Sequence, residues 1–266
     1  MCNIISDPSM IGDLFELDSS VFDNGPFRWY ALTNAFNADR RHKQPYLDAY
    51  KESIACLTNG LRKALQTTVE AMKRDVPNLV SFSESVVDQN PWERISSASN
   101  RFTVGDGSAG SPAVEVGLFS LVQNFVGHLT LTSLVGSEFL EHYPSILDDL
   151  RDFDNGFEYL TLGAPRWFPI PSIAKAHFAR QRLKNGINAF HKALDGIAAG
   201  GEPGYPWTDM GDVSAVMKER NAVWRAHELT PGVKGACDLN LLWKSVFNLE
   251  ALGSSRLTCV QHEHKN

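Results

Sequence analysis

The sequence predicts an all-α domain, mostly helical with little or no sheet. Apolar residues recur at helical three-to-four spacing in window after window, and capping residues and breakers fall at the ends of those windows. No stretch shows convincing period-two alternation, and no internal repeat is visible. Ser6-Asp7-Pro8 starts the first helix, with Ile11, Leu14, Phe15 and Leu17 on its apolar face. Residues 18–45 have no sustained period but are crowded with aromatics: Phe22, Phe27, Trp29, Tyr30 and Phe36. Pro45 opens a helix to about Arg74, with a break expected near Asn59-Gly60. Residues 75–112 read as an irregular loop containing Pro77, Pro91, a serine patch and a glycine patch.

Ser111-Pro112 repeats the cap-then-proline signal ahead of a long apolar helix to about Leu134. Pro144 begins the next, ended by Gly163-Ala164-Pro165 near Leu160. Ser172 caps another, whose face carries Ala174, Phe178, Leu183, Ile187, Phe190 and Leu194. Two further helices cover about 213–229 and 233–252, the last with Leu239, Leu242, Trp243, Val246 and Leu249. The expected organisation is one domain over residues 1–253 and a polar, disordered tail at 254–266.

The composition narrows the function. With 25 Lys and Arg against 31 Asp and Glu, the net charge is −6, and no basic run exceeds two residues. A nucleic-acid partner needs a basic face to displace counterions, so none is expected. Cys2, Cys56, Cys237 and Cys259 form no CxxC pair and suggest neither a metal cluster nor a disulfide framework. The apolar stretch Val114 to Val135 is interrupted by Glu115, Gln123, Asn124 and His128, and reads as a buried helix and not a membrane span. No secretory signal is read at the start, so the expected location is cytoplasmic.

Several motifs carry chemistry in other settings. Gly105, Gly107 and Gly110 fit GxGxxG, but the βαβ unit that aims such a loop at a pyrophosphate is not predicted. Asp148, Asp149 and Asp152 form a DDxxD, which Mg²⁺-dependent terpene cyclases use to hold a diphosphate. A second motif of that class is only partly matched by Gly211 to Glu219, where Gly211 and Ala215 replace its Asn and Ser ligands; the competing reading is a solvated acidic helix face. His262 and His264 lie in the tail without further ligands, and no other histidines have metal spacing, so no metal site is expected. Phe27-Arg28-Trp29-Tyr30 is too apolar to leave wet, and serves either the core or a pocket wall.

LFSLVQNFVGHLTLTSLVGSEFLEHYP, LDDLRDFDNGF, GAPRWFPIPSIAKAHFARQRL and AFHKALDGI, spanning Leu118 to Leu194, together resemble the middle of fungal cytochrome P-450 haem monooxygenases of the sterol-oxidising and bile-acid-type branch. ISDPSMIGDLFELDSSVF is similar to that family's B helix, and VKGACDLNLLWKSVFNLEALG to the start of its I helix. The resemblance implies that Asp148, Asp149 and Asp152 lie on an ordinary F helix. It also implies a pocket for large apolar substrates, lined here by Phe22, Phe27, Phe36, Phe153, Phe157, Tyr159, Leu160, Phe178, Trp243 and Phe247.

The departures decide the chemistry. No Glu has Arg three residues on, and no cysteine has the glycines of the thiolate loop; Cys237 has Val233 and Leu239 in their places. No Thr follows Glu250-Ala251, and no membrane anchor is read ahead of the B-helix-like stretch. The expectation is therefore a haem-independent enzyme of secondary metabolism with no cofactor. It would bind a terpenoid- or polyketide-like substrate and promote a cyclisation, most simply an intramolecular Diels–Alder reaction. Tyr30, Arg28 and Trp29 are the candidate catalytic donors, with Tyr159 and Trp243 behind them. The alternatives are an inactive or ligand-binding P-450 fragment, and a Mg²⁺-dependent cyclase acting through Asp148, Asp149 and Asp152. The apolar face left where haem would sit suggests a homo-oligomer.

Overall fold

A computed structural model describes residues 25–83, 85–96, 99–102 and 112–247. Its helices are α1 (Gly25–Asn34), α2 (Lys43–Asp75), α3 (Pro91–Ile95), α4 (Leu118–Val135), α5 (Ser137–His142), α6 (Ile146–Thr161), α7 (Pro171–Ala198), α8 (Ala215–Ala226) and α9 (Pro231–Phe247). Short 3-10 turns lie at Arg40–His42 and Val76–Asn78. Among the described residues the one ladder pairs β1 (Ser99–Phe102) with β2 (Pro112–Glu115) antiparallel, Ser99 opposite Glu115. The fold is all-α. The first predicted helix, Phe22, the GxGxxG glycines and the tail at 254–266 lie outside the described residues.

Several boundaries differ from those the sequence predicts, each for a physical reason. Helix α2 runs unbroken through Asn59-Gly60, because Gly60 is the crossing point with α8. A Cβ there would sit 2.1 Å from Cγ2 of Val216, so the glycine serves close packing and not a break. Pro112 opens a strand, where a first-position proline is tolerated, and the apolar helix waits for Leu118. Residues 75–112 hold α3, whose cap was legible: Pro91 follows Asn90, and Glu93 accepts from the Asn90 N–H at 2.9 Å. Helix α1 was missed because only Gly25, Trp29 and Leu32 are buried on it, too few to show a period. Helix α5 was missed because its N-terminus is capped from a distance: the Asp212 carboxylate accepts from Ser137 N–H at 2.7 Å and from its hydroxyl at 2.8 Å. Gly136, at φ +88, makes the sharp turn into it.

Helices α6 and α7 form the most extensive pair, joined through residues 162–170, and α9 lies against α7 and α4. The pairing is close because Gly156 faces Ala176; a Cβ at Gly156 would lie 2.4 Å from that of Ala176. One core runs through the chain from Trp29 to Val246, with Leu150, Phe153, Ile187, Phe190, Leu239 and Leu242 buried within it. Each such side chain contributes about 1.5–3 kcal/mol relative to exposure. A satellite cluster joins Trp92 of α3 to Leu121, Phe125 and Leu129 of α4. Helix α4 is long and apolar enough to cross a membrane by length and composition, and half of it is buried inside the fold.

Candidate functional site

Helix α6 sorts its residues by period. Leu150, Phe153 and Leu160 enter the core. Asp154 and Glu158, and likewise Asn155 and Tyr159, lie one turn apart, with Phe157 between them. Trp243 and Phe247, one turn apart on α9, and Gln123 of α4 complete the lining of a groove of about 570 Å³. That volume suits a small organic ligand. Its wall is aromatic: the Trp243 indole stacks on Phe157 with centroids 4.2 Å apart and planes 22° apart. Phe36 meets the indole edge-on at 5.9 Å, and Phe153 does so at 6.3 Å. A mostly buried tryptophan needs a partner for its N–H; Trp243 Nε1 donates to Asp154 Oδ1 at 2.8 Å, fixing the ring's rotation. A second depression shares Asn155 and is lined by Asp152, Pro171, Ser172 and Lys175.

The structure thus brings Phe157, Tyr159, Trp243 and Phe247 to one groove, with Phe36 and Phe153 as its backing and Leu160 in the core beneath. It does not bring the predicted catalytic trio there. Trp29 is buried against Tyr46 at 5.2 Å, and the Arg28 guanidinium lies 4.0 Å over the Tyr50 ring. Tyr30 and Phe27 are exposed and line neither depression. Phe178 is also exposed, with the Arg166 guanidinium 5.1 Å from its ring centroid. Gln123, Asp154, Asn155 and Glu158 were not singled out from sequence, since polar residues on a helix read as a solvated face.

Of the acidic motif only Asp149 is spent on packing; Asp148 is exposed and Asp152 lines the second depression. Asp149 is buried and paired with Arg182 of α7, whose Nε donates to it at 2.9 Å. Asp148 pairs with Arg151 at 3.3 Å, and desolvation pushes its carboxyl upward. Among the described residues, no group of three or more His, Cys, Asp or Glu is placed to hold a metal. In the second partial motif, Ser214 caps α8 by accepting from Met217 N–H at 3.2 Å, and its hydroxyl donates to Leu134 O at 2.8 Å. The two strands flanking the glycine motif pair antiparallel, whereas a dinucleotide loop follows a strand of a parallel βαβ unit.

A second concentration of charge lies where α7, α8 and α9 meet. Asp238 is fully buried, and Arg220 donates to its Oδ1 at 2.6 Å and to Ser53 O at 3.2 Å. His191 Nε2 lies 2.9 Å from Asp238 Oδ2, and its Nδ1 lies 2.9 Å from Asn221 Oδ1. Asn221 in turn donates to Asp195 at 2.8 Å, which also takes Lys234 at 3.1 Å. Burial alone would raise the Asp238 carboxyl, but Arg220 and then His191 outweigh it and hold it at about 2. Perturbed acids mark functional sites when a cleft reaches them. Neither depression touches this one, so its role is to hold three helices together.

Neither described thiol suits a haem. Cys237 is buried on α9, where desolvation and then Asp238 push its thiol well above the ordinary range. Cys56, half-buried on α2, is also raised by burial. An iron ligand must be a thiolate on an open face, and neither cysteine supplies one; Cys2 and Cys259 lie outside the described residues. Comparisons with protein-family models, with curated proteins and with solved structures returned no match.

Proposed function

We propose that this chain binds an apolar small molecule against the Phe157–Trp243 wall and promotes its cyclisation without a cofactor, most simply as an intramolecular Diels–Alder reaction. The observation that carries the reading is the stacked, rotation-locked indole on one side of a ligand-sized groove. A flat wall that cannot turn selects folded conformers of a flexible polyene, and holding two reacting ends together removes entropy from the barrier. The chemistry then asks for one hydrogen-bond donor to an activating carbonyl. Tyr159, Asn155 and Gln123 offer donors at the groove, and they take the role that Tyr30, Arg28 and Trp29 hold in the sequence reading. The resemblance of the stretches that form α6 and α9 to the F helix and the start of the I helix of cytochromes P-450 supports a substrate-facing role for the same surface.

Purified protein incubated with a linear polyene tethered to an activated alkene should enrich one stereoisomer, and Trp243→Ala should abolish the enrichment. Equal product ratios with and without protein would reject the catalytic step. A second reading, binding without turnover, draws on the exposure of Asn155, Glu158 and Tyr159, which leaves the groove wet. Saturable binding of the precursor with an unchanged product ratio would select it.

A further inference from the structure

Resting on the reading of the groove as a ligand site, we infer that its occupant, apolar along the Phe157–Trp243 wall, also carries one positive charge: an organic amine or quaternary ammonium group held by the carboxylates of Asp154 and Glu158. The lining divides into four aromatic rings, two carboxylates and two carboxamides, with no Lys, Arg or His among them. Exposed aromatic faces carry negative quadrupolar charge, and at the groove the exposed ring of Tyr159 stands beside the two carboxylates, a combination that attracts cations. An anionic guest would meet repulsion there, and a purely neutral one would leave both carboxylates without a counter-charge.

The two acids have no basic partner among the described residues, the Asp154 carboxylate being bonded to the Trp243 N–H. They stand one turn apart on one face of α6, where like charges repel. The Glu158 carboxylate has no hydrogen-bond or ion-pair partner among the described residues and is exposed at the lip. Asp154 has one partner, the Trp243 N–H, which turns the indole so that ring and carboxylate border the same space. The nearest basic side chain on α6, Arg151, is engaged elsewhere, with Asn124 and Asp148. Lys175 lines the adjoining depression, beside Asp152, and not this one. This contrasts with the rest of α6, where Asp149 is given Arg182. Asp149 and Asp238 are matched by bases; the two acids at the groove are not.

The test uses a matched pair of probes, choline and its uncharged carbon isostere 3,3-dimethylbutan-1-ol, titrated into the full chain. Binding is followed by the NMR shift of the Trp243 indole N–H, assigned by its loss in Trp243→Phe. Choline should bind about tenfold more tightly than the alcohol, and added salt should erode the difference. Glu158→Gln, at an exposed position, should lower choline affinity severalfold and leave the alcohol unchanged. Asp154→Asn keeps a carbonyl to accept the indole N–H and, combined with Glu158→Gln, should bring the two probes level. Equal affinity of the unaltered protein for both probes would overturn the charge assignment while leaving the apolar site standing. If neither probe moves the Trp243 signal, both readings fall. Unchanged thermal melting of the variants confirms that the loss is local.

Discussion

On α9, Asp238 and Trp243 belong to polar regions that treat charge in opposite ways. Around Asp238 the acid is sealed from water and answered by Arg220 and His191, with Asn221, Asp195 and Lys234 extending the chain of partners. Around Trp243 the acids stand at an open groove, and the partner of Asp154 is a neutral N–H. The energetic reason is desolvation. An unpaired charge in the interior costs several kcal/mol, so a sealed acid must arrive with its partners: Arg220 and His191 for Asp238, backbone N–H groups for Glu93. At a wet lip the cost is small and the acid can remain unmatched, free to meet something that arrives from outside. Sealed charge specifies how helices meet, and open charge specifies what can bind.

That contrast is easiest to break at Asp238. Asp238→Ala strands Arg220 and His191 in the interior and should lower unfolding stability by about 3–5 kcal/mol, measured by denaturant titration. If it costs under 1 kcal/mol, the pairing is not what holds α7, α8 and α9. The same bond can be weakened reversibly with acid. The folded carboxyl sits at about 2 against 3.8 unfolded, so its contribution is fully present above about pH 4 and is lost as pH falls toward 2. The melting advantage of the native protein over Asp238→Asn should therefore shrink across that interval; an advantage that stays constant contradicts the assignment.

Gly156→Ala tests the groove from behind. The added Cβ would press on Ala176 and should cost about 1–3 kcal/mol. It should also weaken ligand binding, because α6 carries Asp154 and Phe157 with it. Trp243→Phe should have the smallest effect on the fold, about 1 kcal/mol, since it removes one hydrogen bond and keeps an aromatic wall. Its mark should instead be a loss of stereochemical selectivity in product analysis, the ring now being free to turn. Native-like selectivity in Trp243→Phe would show that the bond to Asp154 does not shape the site.

How much of this was legible in the sequence follows from the range of the interactions. The aromatic side of the groove was named through the resemblance, whose implied lining holds Phe157, Tyr159, Trp243 and Phe247; helical spacing alone puts only Trp243 and Phe247 on one face. Its polar side was not. Asp154 and Glu158 look like any solvated pair until α9 and α4 are placed beside them. The crowd of aromatics from Phe27 to Tyr30 reads as either core or pocket wall, and it forms α1, which buries Trp29 against Tyr46 and leaves Phe27 and Tyr30 outside. Gly60 was read as a breaker because a glycine facing a neighbouring helix has the same local signature as one that ends its own. The Asp238 network joins residues far apart in the chain and has no local signal at all.

The near-contact of Gly156 with Ala176 has a mechanical consequence. Two backbones this close slide or part only together, so α6 and α7 behave as one stiff plank carrying half of the groove. Guests of different size must then be accommodated by the swing of side chains such as Tyr159 and Glu158 rather than by a yielding wall, and discrimination among them becomes a matter of rotamers.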